Sequence, residues 1–258
     1  MAEYDTLHRT HVGAQGAAID AGLRAYMNKV YGLMSVAMLI TGAVAWVVAS
    51  MAMTTNPDMA AAQIGASKYL TSFGVLLYTS PLKWVIMFAP LLVVFGFGAA
   101  INRLSEQGAQ GVFWFYSALM GASLSSIFVV YTGVSIAQTF LVTAIAFASL
   151  SLYGYTTKRN LSGMGSFLMM GLVGLIVASI VNIFMASSAL QFAISVIGLL
   201  IFAGLTAYDT QKLKITYLQL AQSDSEFLGK SAILGALSLY LDFLNMFMFL
   251  LQFLGNRE

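Results

Sequence analysis

Seven stretches of mostly apolar residues dominate the sequence. The hydrocarbon core of a bilayer is about 30 Å thick, and an α-helix needs about 20 apolar residues to cross it. The stretches are unbroken instead of alternating, which excludes a barrel of membrane strands and leaves helices as the spanning elements. They lie at about residues 30–51, 84–102, 112–131, 134–155, 164–186, 190–210 and 232–254. The sequence therefore predicts an all-α polytopic membrane protein with seven transmembrane helices.

The low charge content agrees with lipid as the main solvent of the chain. Of the 258 residues, 59% are hydrophobic and 9% are charged, whereas soluble domains carry about 25% charged residues. The net charge of +2 is too small to indicate nucleic-acid binding, and no basic stripe with interleaved aromatic residues is present. The chain has no cysteine, which excludes disulfides, thiolate nucleophiles and cysteine metal sites.

The tail and the charged loops predict how the bundle lies in the membrane. Residues 1–28 are polar and lack the short apolar core of a signal peptide. We therefore expect a cytoplasmic tail followed by one transmembrane domain over residues 29–258. With the N-terminus inside, nine of the 12 Lys and Arg residues lie on the cytoplasmic side, as the positive-inside rule requires.

Residues 59–80 form an apolar segment that we do not count as a span. Lys68 divides it into two pieces, and each piece is too short to cross the membrane. Counting the segment as a span would also reverse every later helix and spoil the distribution of positive charge. We expect an interfacial helix or a loop structure here.

Two aspartates are the ionisable residues that bear most on function. Asp242 lies inside the last apolar run, LSLYLDFLNMFMFLLQFL, where an ionised side chain costs about 2.5–3.5 kcal/mol on insertion scales. Asp209, in GLTAYDTQKLK, lies near the cytoplasmic end of span six. The predicted span boundaries put the two residues about 9 Å apart in depth, and boundary errors of a few residues could remove or double that offset. The sequence permits the two carboxylates to meet but does not require it.

If the carboxylates meet, their chemistry follows from their shared low-dielectric surroundings. Two adjacent carboxylates cannot both ionise cheaply, so one of them should hold a proton. When both are ionised, Asp209 and Asp242 offer oxygen ligands to a hard cation, which makes them candidate transient Ca²⁺ ligands. Tyr208, Tyr240 and Asn245 are candidate supporting residues that could donate hydrogen bonds nearby. The alternative is that Asp242 is a neutral, hydrogen-bonded core residue.

The two acid-bearing stretches are also informative as motifs. GLTAYDTQKLK at 204–214 and LGALSLYLDFLNMFMFLLQFLGNR at 234–257 closely resemble the signature end of the Bax inhibitor (transmembrane Bax inhibitor motif) family. YSALMGASLSSIFVVYT at 116–132 and SLYGYTTKRNLSG at 151–163 are similar to its bacterial branch. The resemblance runs from about residue 20 to the C-terminus. It implies a seven-helix fold in which a central acidic span is wrapped by the others, in a bacterial inner membrane.

The resemblance also implies an activity, a pH-sensitive Ca²⁺ leak governed by an aspartate pair on the last two spans. Asp209 and Asp242 match that pair. In some relatives an arginine at the end of the second span pairs with the first aspartate and closes the pore, and Arg103 matches this arginine. Certain bacterial relatives have a glutamate within the second span, whereas PLLVVFGFGAAINR has none before Arg103. This departure puts a fully equivalent permeation path in doubt.

Two hypotheses of different classes follow. The first is a passive cation leak gated by protonation, in which Ca²⁺ is the permeant ion, no residue is catalytic and no cofactor is needed. The second is a membrane-embedded modulator that binds a membrane protease or a stress-response protein, with the N-terminal tail as the contact. An intramembrane hydrolase is disfavoured because the glycine-flanked signatures expected around two catalytic aspartates are absent. A coupled transporter is disfavoured because discontinuous helices and inverted repeats are not evident.

Overall fold

The structure, a computed structural model, describes residues 2–64, 68–220 and 225–256, and its side chains are described over 19–64, 68–220 and 227–256. Seven helices in these ranges are long and apolar enough to cross a membrane: Ile19–Ala52, Leu82–Arg103, Glu106–Val130, Gly133–Thr156, Ser162–Met185, Ser188–Leu220 and Phe227–Leu254. Each predicted span lies within one of these helices to within one residue. The predicted seven-helix bundle is therefore confirmed.

The helices are numbered in chain order: α1 (Ala2–Ala52), α2 (Ser72–Tyr78), α3 (Leu82–Ala100), α4 (Glu106–Leu124), α5 (Ile127–Val130), α6 (Gly133–Thr156), α7 (Ser162–Met185), α8 (Ser188–Leu220) and α9 (Ser225–Leu254). A 3₁₀ turn over Ile101–Arg103 continues α3 and completes the second span. The single turn of α5 follows α4 after a short break and completes the third span.

Helix α9 lies at the centre of the bundle. It packs against α1, α4, α6 and α8. In its most apolar stretch 61% is buried inside the bundle, whereas the same fraction is 11% for α7, which lies at the periphery. Large side chains from several faces of α9 are fully buried, among them Ile233, Leu239, Tyr240, Met246 and Leu251. A helix that is apolar all round is typical of such a buried position. The expected central acidic span wrapped by the other helices is thus what the structure shows.

Small residues let the helices approach closely. A Cβ atom on Gly121 of α4 would collide with the carbonyl oxygen of Thr41 in α1, and one on Gly154 of α6 would collide with the carbonyl oxygen of Ala207 in α8. Because lipid tails are as apolar as leucine, helices in a membrane associate largely through close packing of this kind. These glycines set the distances between α1 and α4 and between α6 and α8.

Several helices extend past their predicted ends on the predicted cytoplasmic side. Helix α8 continues ten residues past the predicted end of span six at residue 210, to Leu220. The reason is amphipathic packing: Lys212 is exposed, while Leu213 contacts the backbone of α9 at Gly235 and the Tyr217 ring lies 5.3 Å from that of Tyr26. These polar residues therefore belong to a helix that projects from the membrane instead of to a loop.

Helix α1 also runs through the predicted boundary between tail and transmembrane domain at residue 28. It is continuous from Ala2, and Leu23, Tyr26 and Met27 are buried in the bundle core. The Tyr26 hydroxyl lies 3.0 Å from Ser231 Oγ of α9. The last turns of the predicted tail therefore pack as part of the bundle.

Residues 53–64 and 68–80 form a small structured cap after α1. Three two-residue strands, β1 (Met53–Thr54), β2 (Ala62–Gln63) and β3 (Tyr69–Leu70), make an antiparallel sheet in the order β1-β3-β2, and α2 follows. The described part of this segment contains no spanning helix, in line with the prediction, but the strands were not expected. They pair backbone groups that would otherwise lack partners near the membrane surface.

Candidate ion site between the last two helices

The register of α8 against α9 brings Asp209 and Asp242 to similar depth. Thr206 Oγ1 donates a hydrogen bond of 3.4 Å to Met246 Sδ across the interface. Asp209 follows Thr206 in α8, and Asp242 precedes Met246 in α9. Because the two helices are antiparallel, both aspartates lie about one turn from this contact on its predicted cytoplasmic side. The depth offset of about 9 Å expected from the span boundaries is therefore wrong. It was counted from the predicted ends of the two spans, which do not fix the register of α8 against α9.

The two carboxylates interact electrostatically across the contact between α8 and α9. Asp242 is 4% exposed, and its Oδ2 atom has no hydrogen-bond partner within the described residues. Asp209 is only partly buried and also interacts with Lys212 on its own helix. Asp242 is thus the deep member of the pair, and Asp209 is the member closer to water.

The pair offers a cation a small set of ligands. Among the described residues, no group of three or more His, Cys, Asp and Glu side chains is placed to hold a metal ion. Because Ca²⁺ takes 6–8 oxygen ligands, Asp209 and Asp242 alone would leave most of its coordination to water. Such a site suits transient passage of an ion better than tight storage.

Arg103 stands apart from the aspartates in this structure. It lies at the end of the second span with an exposed side chain. In the part of the chain that the structure describes, no ion pair joins Arg103 to Asp209. The ion pair found there joins Lys29 to Glu106, at 2.5 Å. The closing contact that the resemblance implies is therefore not made in this conformation, and the gating role of Arg103 stays a prediction.

Tyr240 points away from the aspartate pair. Its side chain is fully buried, its hydroxyl lies 2.7 Å from Thr41 Oγ1 of α1, and its ring meets that of Phe113 edge-on at 5.8 Å. Residues two apart on a helix do not face the same side, which explains why Tyr240 and Asp242 contact different neighbours. Tyr240 links α9 to α1 and α4.

We expect Tyr240→Phe to lower the free energy of unfolding by about 0.5–1.5 kcal/mol, because one buried hydrogen bond is lost while Thr41 Oγ1 keeps the carbonyls of Ala37 and Ser117 as partners. The pH dependence of any Ca²⁺ flux should stay that of the parent. Thermal unfolding in detergent measures the first effect, with Tyr153→Phe, at a tyrosine that is 47% exposed, as the control. A shifted pH profile would show that the Tyr240 hydroxyl acts on the carboxylates after all.

The other two candidate supporting residues also make contacts of their own. Asn245 Nδ2 donates a hydrogen bond of 2.8 Å to the Leu241 carbonyl in its own helix. Tyr208 packs its ring over Gly165 of α7. Within the described residues, neither side chain donates a hydrogen bond to Asp209 or Asp242. Their supporting role stays a prediction.

Comparison with known proteins identifies the family of the chain. A family model described as "Inhibitor of apoptosis-promoting Bax1" matches residues 23–258. The chain belongs to the Bax inhibitor family. The match includes both aspartates and Arg103, and it confirms the resemblance seen in the two acid-bearing stretches.

Three relatives of this Bax inhibitor family protein match over nearly their whole length. Inner membrane protein YbhL of Escherichia coli K12 is 46% identical over 239 residues, covering 92% of this chain and 94% of the relative. An uncharacterized protein of Caulobacter vibrioides is 46% identical over 242 residues, with 93% and 92% covered. Uncharacterized protein RP147 of Rickettsia prowazekii is 45% identical over 245 residues, with 95% of each chain covered. With its seven spans, the chain is an integral inner membrane protein.

Sequence reasoning missed a row of buried hydroxyls in this Bax inhibitor family member. Ser135, Thr139, Thr143 and Ser151 are all buried on one face of α6, and Thr139 Oγ1 has no hydrogen-bond partner in the described ranges. Ser151 Oγ lies 2.9 Å from Thr210 Oγ1, next to Asp209 in α8. The four-residue spacing of one helix face was the signal that could have revealed this row.

Proposed function

We propose that this Bax inhibitor family protein is a passive, pH-sensitive Ca²⁺ leak controlled by proton exchange at the Asp209–Asp242 pair. The observation that carries the proposal is the register of α8 against α9, which places two carboxylates at similar depth on neighbouring membrane helices. An ionisable residue inside a membrane is unfavourable by about 2.5–3.5 kcal/mol at the centre of a helix, and such residues commonly mark ion or proton pathways. The unpartnered Oδ2 of Asp242 leaves an acceptor free for a proton or a cation.

Gating follows from the charge of the pair. With a proton between them, Asp209 and Asp242 can hydrogen-bond and hold α8 and α9 together. When both are ionised, their repulsion in a low-dielectric site favours separation of the helices and makes oxygen ligands available to Ca²⁺. Proton uptake therefore closes the path, and proton loss opens it.

The packing beyond the pair supports a closed conformation in the present structure. Towards the predicted outer side, Met246 is 1% exposed and lies against Thr206, and the Phe249 ring covers Gly198 of α8. This apolar layer separates Asp242 from the next polar contact between the two helices, where Ser195 Oγ of α8 donates a hydrogen bond to Gln252 Oε1 of α9. An open state requires the outer half of α9 to move relative to α8.

Ca²⁺ uptake into proteoliposomes over a range of pH values tests the proposal. We expect uptake by the parent to rise with pH through the neutral range, by up to about tenfold per pH unit if one proton controls the path. Asp209→Asn should flatten the profile because one member of the pair can no longer ionise. Asp58→Asn, at an exposed aspartate outside the spans, is the matched control and should keep the parental profile. Equal uptake by the parent and Asp209→Asn at every pH would reject the proposal.

The second candidate, a modulator that binds a membrane protein partner, is favoured by one observation. Helix α1 begins at Ala2 and so continues well before the apolar run that starts near residue 30. A helix of that length projects beyond the hydrocarbon core and offers a surface to a partner. Deleting residues 2–18 separates the two candidates. If the protein is a leak, the pure protein should keep its Ca²⁺ flux after the deletion. If it is a modulator, the full chain should show no flux, and the deletion should remove a co-purifying membrane protein.

A further inference from the structure

We propose that a cleft between α1 and α6 binds one anionic glycerophospholipid from the predicted cytoplasmic leaflet. This α1–α6 cleft has a volume of about 1090 Å³ and is lined by both helices and by Phe243 of α9. The volume exceeds the range of about 300–1,000 Å³ that is usual for pockets of small ligands. The proposal does not depend on the Ca²⁺ leak.

The deeper part of the cleft is apolar and opens sideways to the membrane. Its walls carry Met34, Met38, Leu39, Phe140, Ala144 and Phe147. Leu39 is 72% exposed and Phe140 is 45% exposed, so the opening faces the position of the lipid tails. The rings of Phe147 and Phe243, 5.6 Å apart, form its floor. An acyl chain can enter this part laterally without crossing a polar barrier.

The polar lining of the cleft is gathered towards one end. Arg24, Asn28 and Tyr31 lie on the first part of α1, and Ser151 and Tyr155 lie on the last part of α6. Because α1 and α6 run in opposite directions across the membrane, these residues share the predicted cytoplasmic end. The lining therefore changes from polar to apolar along the cleft, as a phospholipid changes from headgroup to chain.

The polar end carries positive charge. Arg24 is exposed and makes no ion pair within the described residues. Lys214 of α8 places its Nζ atom 5.3 Å from the centre of the Tyr155 ring and donates a hydrogen bond of 3.0 Å to the Tyr155 carbonyl. Among the residues whose side chains the structure describes, none that lines the cleft is acidic. A guanidinium fits the oxygens of a phosphate, and the second cation nearby favours a headgroup with net negative charge.

The length of the cleft matches one leaflet. Gly42 lies ten residues before the outer end of α1 at Ala52, or about 15 Å from it, which is half of a hydrocarbon core of about 30 Å. From Gly42 to Tyr31 the apolar part runs about 16 Å along α1 towards the cytoplasm. The part of the cleft that would hold an acyl chain therefore ends near the bilayer centre. Asn28 lies about 21 Å from Gly42 along α1, at headgroup level, and Arg24 lies one turn further towards the cytoplasm. A peptide would leave its backbone groups without partners along this apolar length, so the gradient favours a lipid.

Native mass spectrometry of the full chain in a mild detergent, with phosphatidylglycerol or phosphatidylcholine added at equal concentration, tests the site. We expect one phosphatidylglycerol bound per chain and weaker retention of phosphatidylcholine. Gly42→Phe should fill the cleft, because a Cβ at Gly42 meets no atom within 4 Å, and should lower bound phosphatidylglycerol by about tenfold or more. Gly32→Phe is the matched control, since Gly32 lies on the same helix, has equally open surroundings and does not line the cleft.

The headgroup contact is tested separately from the chain contact. Arg24→Gln should reduce the preference for phosphatidylglycerol over phosphatidylcholine, whereas Arg159→Gln, at an exposed arginine outside the cleft, should keep it. If Gly42→Phe fails to fold, as judged by its melting temperature, Ala148→Leu blocks the cleft from α6 and replaces it in the test. Equal lipid retention by the blocked variant and Gly32→Phe would overturn the proposal. A dimer mass that disappears in the blocked variant would also overturn it, because a second copy of the chain would then fill the cleft.

Discussion

Asp242→Asn should lower Ca²⁺ uptake at mildly alkaline pH by about tenfold or more, a rise of about 1.4 kcal/mol or more in the barrier, and should at the same time raise the melting temperature. Uptake falls because asparagine cannot ionise, repel Asp209 or offer a charged ligand to Ca²⁺. Stability rises because Asp242 is 4% exposed with an unpartnered Oδ2, and its ionised form costs about 2.5–3.5 kcal/mol at the centre of a membrane helix. The gain in stability should be largest at high pH and should vanish at low pH, where Asp242 holds its proton.

Both effects of Asp242→Asn can be measured on one preparation. Uptake of Ca²⁺ into proteoliposomes gives the first effect, and thermal unfolding in detergent at several pH values gives the second. Asp58→Asn, at an exposed aspartate, should change neither. Normal uptake with raised stability would make Asp242 a neutral core residue and would end the proposal that the aspartate pair controls the leak. Lower stability at high pH would show that the ionised carboxylate has a stabilising partner.

Gly154→Val should destabilise the bundle strongly, by about 3 kcal/mol or more, at the upper end of overpacking effects. A Cβ on Gly154 would collide with the carbonyl carbon and oxygen of Ala207, and a backbone cannot turn aside as a flexible side chain can. Helices α6 and α8 would have to separate. The hydrogen bond between Ser151 and Thr210, about one turn away, would then lengthen or break.

Thermal unfolding in detergent, followed by tryptophan fluorescence, measures the effect of Gly154→Val. The matched control is Gly174→Val in α7, where a Cβ meets no atom within 4 Å. The same residue change there should leave the melting temperature near that of the parent. Equal melting temperatures for the two variants would contradict the close approach of α6 and α8.

The location of the site could be predicted from the sequence, but its geometry could not. Asp242 is an acid deep inside an apolar run, and its burial in the structure confirms this position. The depth of Asp209 relative to Asp242 was misjudged, because span ends inferred from charged turns such as Lys212–Lys214 do not give the register of one helix against the next. Helix α8 continues past both lysines to Leu220. A positively charged turn shows where a helix leaves the lipid, not where the helix ends.

The contacts of the candidate supporting residues could not be predicted from the sequence either. Tyr240 and Asn245 are close to Asp242 in sequence, yet they bond to Thr41 and to the Leu241 carbonyl. Sequence proximity on a helix leaves the direction of a side chain open, because each residue is rotated by about 100° from the last. Which residues face one another depends on how each helix is rotated against its neighbours.

The sequence by itself determined the seven spans, the family and the presence of an acid at depth. These are properties of single segments, because solubility in hydrocarbon depends on the side chains of one helix and needs no partner. Only the tertiary structure decided that Asp209 and Asp242 lie level, that Arg103 stands apart from them and that a cleft opens between α1 and α6. These features depend on the register and rotation of packed helices, which a shift of a few residues in any helix would change.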